Sequence, residues 1–256
     1  MDLALTINAW IDEEIIFAQQ LGASQVFASV DPDWGDAPGW DAQSMAKLAN
    51  RVEKSGLILA GLHAVSLPAT DPIAWAAGLV ENAGTAEIGL LSLSAGLFSR
   101  GSLIQKTFAA ALPSLADAAG RAGIRLAIPA AGLFKGHSGA KVQAGLLRGL
   151  PPSTGLDAAP AVLQNWFALP ESSTRQSILD KLFLVSLENE ALGGLQPGSG
   201  LDGLPSLCWR LRQANYSGLI RLGRPAHWKG DTREAHHALA FSTGYLRAVF
   251  QAFQRV

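Results

Sequence analysis

Apolar, strand-like runs that end in small or polar residues alternate eight times with helix-like stretches along this 256-residue chain. A chain with that rhythm is expected to fold as one α/β domain, residues 1–256, a single (β/α)8 TIM barrel in which parallel strands form the wall and helices cover it. The expected strands are Leu3–Ala9, Gln25–Val30, Leu57–His63, Ile88–Leu93, Arg125–Ile128, Thr154–Ala158, Leu182–Leu187 and Ser217–Leu222. Most are continuous apolar runs, as strands covered on both faces must be. Between them, Ile11–Leu21, Ala42–Ser55, Ile104–Ala122 and Glu234–Phe253 carry apolar residues at three-to-four spacing, the pattern of a helix with one buried face. Gly22, Gly56 and Gly123 stand just past helices, where a left-handed residue closes the last turn, and Asp41 and Asp231 precede helices as N-caps.

Such a fold concentrates chemistry where strands end and βα loops begin, so the search narrows to eight short stretches. Composition narrows the ligand. Twenty basic against 21 acidic residues leave a net charge of -1, which gives no general attraction to nucleic acid or to an anionic membrane. A single cysteine, Cys208, allows no intrachain disulfide, and neither a signal-like N-terminus nor a long apolar span is visible, so a cytoplasmic protein is expected. The partner expected is a small molecule. Abundant alanine on the outer helices would permit close packing in a homo-oligomer.

Two loops on the strand-end face are long, Asp31–Trp40 and Glu190–Pro205. Trp34 and Trp40 in the first either wall a ligand or seal the barrel rim. The second, rich in glycine, is either a lid or a passive surface loop. It lacks the helix start and lysine of a phosphate loop.

Several stretches resemble the xylose isomerase-like TIM-barrel superfamily of sugar isomerases and epimerases, and within it mannonate dehydratase. Leu21-Gly22-Ala23-Ser24-Gln25-Val26, with its Pro/Gly/Trp loop, is similar to that family's second strand, and Gly123-Ile124-Arg125-Leu126-Ala127-Ile128 to its fifth. Leu184-Val185-Ser186-Leu187-Glu188-Asn189 resembles its seventh strand, and Gly223-Arg224-Pro225-Ala226-His227 the Arg-Pro-Asp-His-Gly motif after its eighth. The last helix, from Ala238 to Arg247, also resembles the superfamily.

The resemblance implies a sugar or sugar-acid ligand and a divalent metal at the strand ends held by His, Cys, His and Asp. The corresponding positions here are Pro129, the Asp157–Ala159 stretch, Ser186 and Ala226, and none matches its ligand. Against the isomerase pattern of Glu, Asp, His and Glu, only Asp157 is retained, with Pro129, Ser186 and Gly223 in the other places. One carboxylate does not hold a divalent ion against water, so no metal cofactor is expected; a divalent metal is the alternative. His63, Asp157, Glu188 and His227 stand at or just past strand ends, but no spacing motif joins them into a ligand set.

Without a metal, the expected chemistry is isomerisation, epimerisation or a sugar-acid lyase reaction by acid/base groups, or none at all in a ligand sensor or partner subunit. His227, which matches the family motif, leads the acid/base candidates, followed by Asp157 and Glu188. Arg224 and Arg221 are the candidate anion clamps, with Arg224 favoured by the motif; three residues apart on one strand, they would face opposite ways. Asn189, His63 and Trp34 complete the expected substrate contacts. His63 has the alternative of a rim histidine satisfied by backbone, and Asp157 that of a loop cap.

Overall fold

Eight parallel strands pair in sequence order and close on themselves, β1 with β2 and onward to β8 with β1. The computed structural model describes residues 2–31, 40–66, 68, 71–93, 102–130, 148–168, 173–188, 203–223 and 232–254. The strands are β1 (Asp2–Ile7), β2 (Gln25–Val30), β3 (Ile58–Ala64), β4 (Leu90–Leu93), β5 (Arg125–Pro129), β6 (Thr154–Ala158), β7 (Leu182–Glu188) and β8 (Leu219–Gly223). Helices among the described residues are α1 (Asp12–Gln20), α2 (Ala42–Lys54), α3 (Pro72–Thr85), α4 (Ser102–Arg121), α5 (Pro160–Phe167), α6 (Ser173–Leu179), α7 (Gly203–Gln213) and α8 (Thr232–Gln254). None is long and apolar enough to cross a membrane. The architecture is the expected (β/α)8 barrel.

Strand alternation divides the core in two. Leu5, Val26, Leu62, Leu91, Leu126, Leu156, Val185 and Ile220 point outward and pack under the helices, against residues such as Met45, Leu48, Leu79 and Leu246. Their neighbours in the chain point into the lumen, where Ala4, Phe27, Leu90, Ala127 and Leu184 form a separate apolar cluster. Lumen space is tight. A Cβ on Gly61 would lie 2.5 Å from the carbonyl oxygen of Leu90, and one on Gly155 would meet the Phe183 ring at 2.6 Å.

At the end of β1 and the starts of β4 and β8, a local hydrogen bond moves the boundary from its expected place. The chain leaves β1 at Ile7 because the Asn8 side chain accepts from the amide of Trp10 (3.1 Å) and turns the backbone. Ile88 does not join β4, since its amide closes α3 by donating to the carbonyl of Ala83 (2.9 Å). Tyr216 likewise closes α7 by donating to Leu211 (2.9 Å), so β8 begins only at Leu219. Gly22, Gly56 and Gly123 take positive φ of 65°, 78° and 72° at the ends of α1, α2 and α4. Asp41 caps α2 by accepting from the Ser44 amide (2.8 Å), whereas Asp231 lies outside the described residues. Arg247 on α8 donates to the carbonyls of Leu21 and Gly22, tying the last helix to the exposed end of the first.

Candidate functional site

The apolar cluster fills the middle of the lumen, and two residues further along the same strands its chemistry changes. Thr6, His63, Ser92, Asp157, Ser186 and Arg221 are all buried and all share the lumen face, by the two-residue period, with Ala4, Gly61, Leu90, Gly155, Leu184 and Leu219. They lie toward the C-terminal ends of their strands, where barrels of this kind place their chemistry. A buried polar ring must satisfy itself, and this one does so through one connected chain of hydrogen bonds.

Arg221 anchors one end. Its guanidinium, 1% exposed, donates from Nε and Nη2 to Ser186 Oγ (3.0 and 2.8 Å) and from Nη1 to Thr6 Oγ1 (3.1 Å). Ser186 Oγ in turn donates its hydroxyl hydrogen bond to Asp157 Oδ1 (2.5 Å). Arg221 Nη2 stands 3.7 Å from Asp157 Oδ2, so the permanent cation has its counter-ion within the ring. The same Oδ2, reaching across β5, whose lumen positions are Ala127 and Pro129, accepts from Ser92 Oγ on β4 (2.7 Å). Ser92 Oγ in turn lies 3.3 Å from Nδ1 of His63 on β3. Burial, and the positive charge of Arg221, hold the His63 imidazole well below its usual value of 6.5, so it is neutral at pH 7.

Of the residues expected from sequence, His63, Asp157 and Arg221 are thus brought together, the first linked through Ser92 and the last through Ser186. Glu188 extends β7 and pairs through its backbone with Gly223. Asn189, Arg224, His227 and Trp34 lie outside the described residues. Trp40 packs against Trp10, with ring centroids 6.3 Å apart, and its carbonyl accepts from Asn82 (2.9 Å). Asp31 accepts from Ser66 (2.7 Å), joining the loops that follow β2 and β3.

Sequence reasoning missed Thr6 and Ser92. Both stand one residue before a strand's last position, so a search for strand termini passes over them, although the two-residue period from Ala4 and Leu90 places them in the lumen. Ser186 entered only as a position where a ligand was missing. It is instead the link between Arg221 and Asp157.

The residues described here do not suit a divalent cation. Asp157 is the one carboxylate shown in the ring; each of its oxygens already accepts from a serine, and a guanidinium stands beside it. Among the described residues no three of the His, Cys, Asp and Glu side chains gather as a metal site would require.

No family model matches the sequence, and no curated protein matches it. Solved structures do. The chain is similar to a xylose isomerase domain protein from Planctomyces limnophilus, at a TM-score of 0.69 and 12% identity over 99% of this chain and 98% of that one. It is also similar to D-psicose 3-epimerase from Clostridium cellulolyticum H10 (TM-score 0.65, 10% identity, 97% and 99% covered). A D-allulose 3-epimerase from Methylomonas sp. gives a TM-score of 0.65 at 16% identity, with 97% and 98% covered. At these identities the likeness establishes a shared fold over nearly the whole length of each chain.

Proposed function

We propose that this chain is a sugar- or sugar-acid-binding barrel, related to the sugar isomerases and epimerases whose fold it shares, that works without a bound divalent metal. The observation that carries the reading is the buried polar ring, in which the guanidinium of Arg221 supplies a fixed positive charge beside the carboxylate of Asp157. Buried charge costs folding energy unless it is fully paired, and a barrel needing only a core would fill these positions with aliphatic side chains. A polyhydroxylated ligand suits such a ring of donors and acceptors.

If the protein turns a substrate over, the chemistry is proton transfer next to a carbonyl, or loss of water from a sugar acid. Asp157, accepting from two hydroxyls and facing a guanidinium, serves as the counter-ion that orients Arg221 and Ser92. Proton transfer falls to Glu188, the last residue of β7, or to His227, four residues beyond β8 in the sequence. Arg221, with Arg224 as the second cation, stabilises the oxyanion that develops. Asn189 and Trp34 complete the ligand contacts in this reading.

Calorimetric titration with ketoses, aldoses, uronic acids and sugar phosphates tests it. One class should bind saturably at one site, and Asp157→Asn should weaken it by about tenfold, on the order of 1.4 kcal/mol. Binding by none of them would overturn the reading in favour of a subunit that pairs with a partner protein. Stoichiometric uptake of Mn2+, Zn2+ or Mg2+, abolished by Asp157→Asn, would overturn its metal-independent part.

A further inference from the structure

Three of the four positions at which the resemblance to sugar isomerases implies metal ligands converge on one group, and that group is itself a cation. Ser186 accepts from Nε and Nη2 of Arg221 (3.0 and 2.8 Å), and Asp157 Oδ2 stands 3.7 Å from Nη2. The third position is Gly223, which follows Arg221 on the lumen face of β8. A Cβ there would lie 3.2 Å from Arg221 Nη1 and 3.1 Å from Thr6 Oγ1. The fourth, Pro129, pairs in register with Asp157 and brings no ligand atom on its side chain. Gly223 lies in strand backbone and is not among the glycines of positive φ, so its conformation is open to any residue. What the position lacks is space, because Arg221 Nη1 and Thr6 Oγ1, themselves 3.1 Å apart, lie where a side chain would begin. Even the first carbon of a metal-binding side chain would press on the guanidinium. A divalent ion set among the same residues would stand against a permanent positive charge.

We infer that the guanidinium of Arg221 takes the place of the implied metal ion, and that Gly223, by having no side chain, is the positioning residue that admits it. The inference rests on the metal-independent part of the reading above and not on the identity of the sugar. The positive charge then comes from within β8, two residues before the position that would have carried a ligand. The two arrangements exclude each other, since the space at Gly223 serves either a ligand side chain or the guanidinium. A cation that is part of the chain is also not lost to a chelator.

Two measurements test the exchange. In the first, Mn2+ is titrated calorimetrically into the wild type and into Ser186→His/Arg221→Met/Gly223→Glu, which removes the cation and restores two donors beside Asp157. The wild type should show no saturable uptake and the triple variant a single equivalent, weakened by about tenfold or more when Asp157→Asn is added. In the second, Gly223→Ala is introduced into the wild type and into Asp157→Leu/Arg221→Met, and urea midpoints are compared; this decides the matter even if the triple variant does not fold. The substitution should lower the wild-type midpoint and shift the Arg221 Nε–H resonance, assigned from the signal missing in Arg221→Met. Where the guanidinium is gone it should lower the midpoint much less, whereas a glycine needed only for packing would lower both alike. Equal losses in the two backgrounds, or a folded triple variant that takes up no Mn2+, would overturn the inference alone. Stoichiometric uptake by the wild type would overturn it together with the metal-independent reading. The sugar panel bears on the ligand only, so the sugar reading fails separately.

Discussion

Two rings of the same lumen, two residues apart along the same strands, are built on opposite principles. In the inner one Phe27, Leu90 and Leu184 are held by apolar contact alone, and any side chain of similar size and polarity would serve. In the outer one Arg221, Ser186, Asp157, Ser92 and His63 are held by donor-to-acceptor pairing, in which each group depends on the identity of the next. The inner ring can lose a member and relax, whereas the outer loses its charge balance. The contrast is sharpest for Asp157. Replacing it by leucine removes the carboxylate beside the buried guanidinium and should cost about 3–5 kcal/mol, while Asp157→Leu combined with Arg221→Met should recover most of that loss. Chemical denaturation of both variants checks it; a double variant as unstable as the single would show that the ring is not organised around this pair.

The inner ring should respond differently. Leu90→Ala removes a fully buried side chain and should destabilise by about 2–5 kcal/mol through lost burial and the cavity left behind. The hydrogen bonds of the outer ring should survive it, since Leu90 contributes no side-chain donor or acceptor to them. A smaller effect is expected at the edge of the outer ring. Thr6→Val keeps the shape but takes away one acceptor of Arg221 Nη1, a hydrogen bond to a buried cation, and should cost about 1–3 kcal/mol. A valine variant as stable as the wild type would mean that this hydrogen bond contributes little to holding the guanidinium.

The difference between the rings also explains what was legible in the sequence. The barrel was readable because apolar runs and helical spacing repeat, and Gln25–Val30 and Thr154–Ala158 lie where the pattern puts them. Boundaries slipped where one hydrogen bond decided the matter, as at Asn8 and Ile88. His63, Asp157 and Arg221 stood out because charged or titratable residues are conspicuous in apolar strands. Ser92 and Thr6 did not, because a serine or threonine in a strand is unremarkable until its face is known. Their role depends on contacts between residues as distant as Thr6 and Arg221, and no local pattern encodes such a pairing. The serine at 186 was read as a lost ligand for the same reason.

The smallest effect expected is in the pH dependence of stability, and its sign separates the rings once more, because the apolar one contributes nothing to it. His63 is held well below its usual value of 6.5 by burial and by Arg221. In the unfolded chain the same imidazole takes up a proton near 6.5, so below that pH the unfolded state binds more protons than the native state. The contribution of His63 to stability is therefore fully present above 6.5 and is lost as the pH falls from there through the lower native value. One group contributes a slope of at most about 1.4 kcal/mol per pH unit in that window. Urea midpoints measured from neutral pH downward should fall for the wild type and fall less steeply for His63→Gln, the difference isolating this ring from the other histidines. If the two slopes coincide, the native imidazole takes up its proton as readily as the unfolded chain does, and its burial and the charge of Arg221 are both offset by the carboxylate of Asp157.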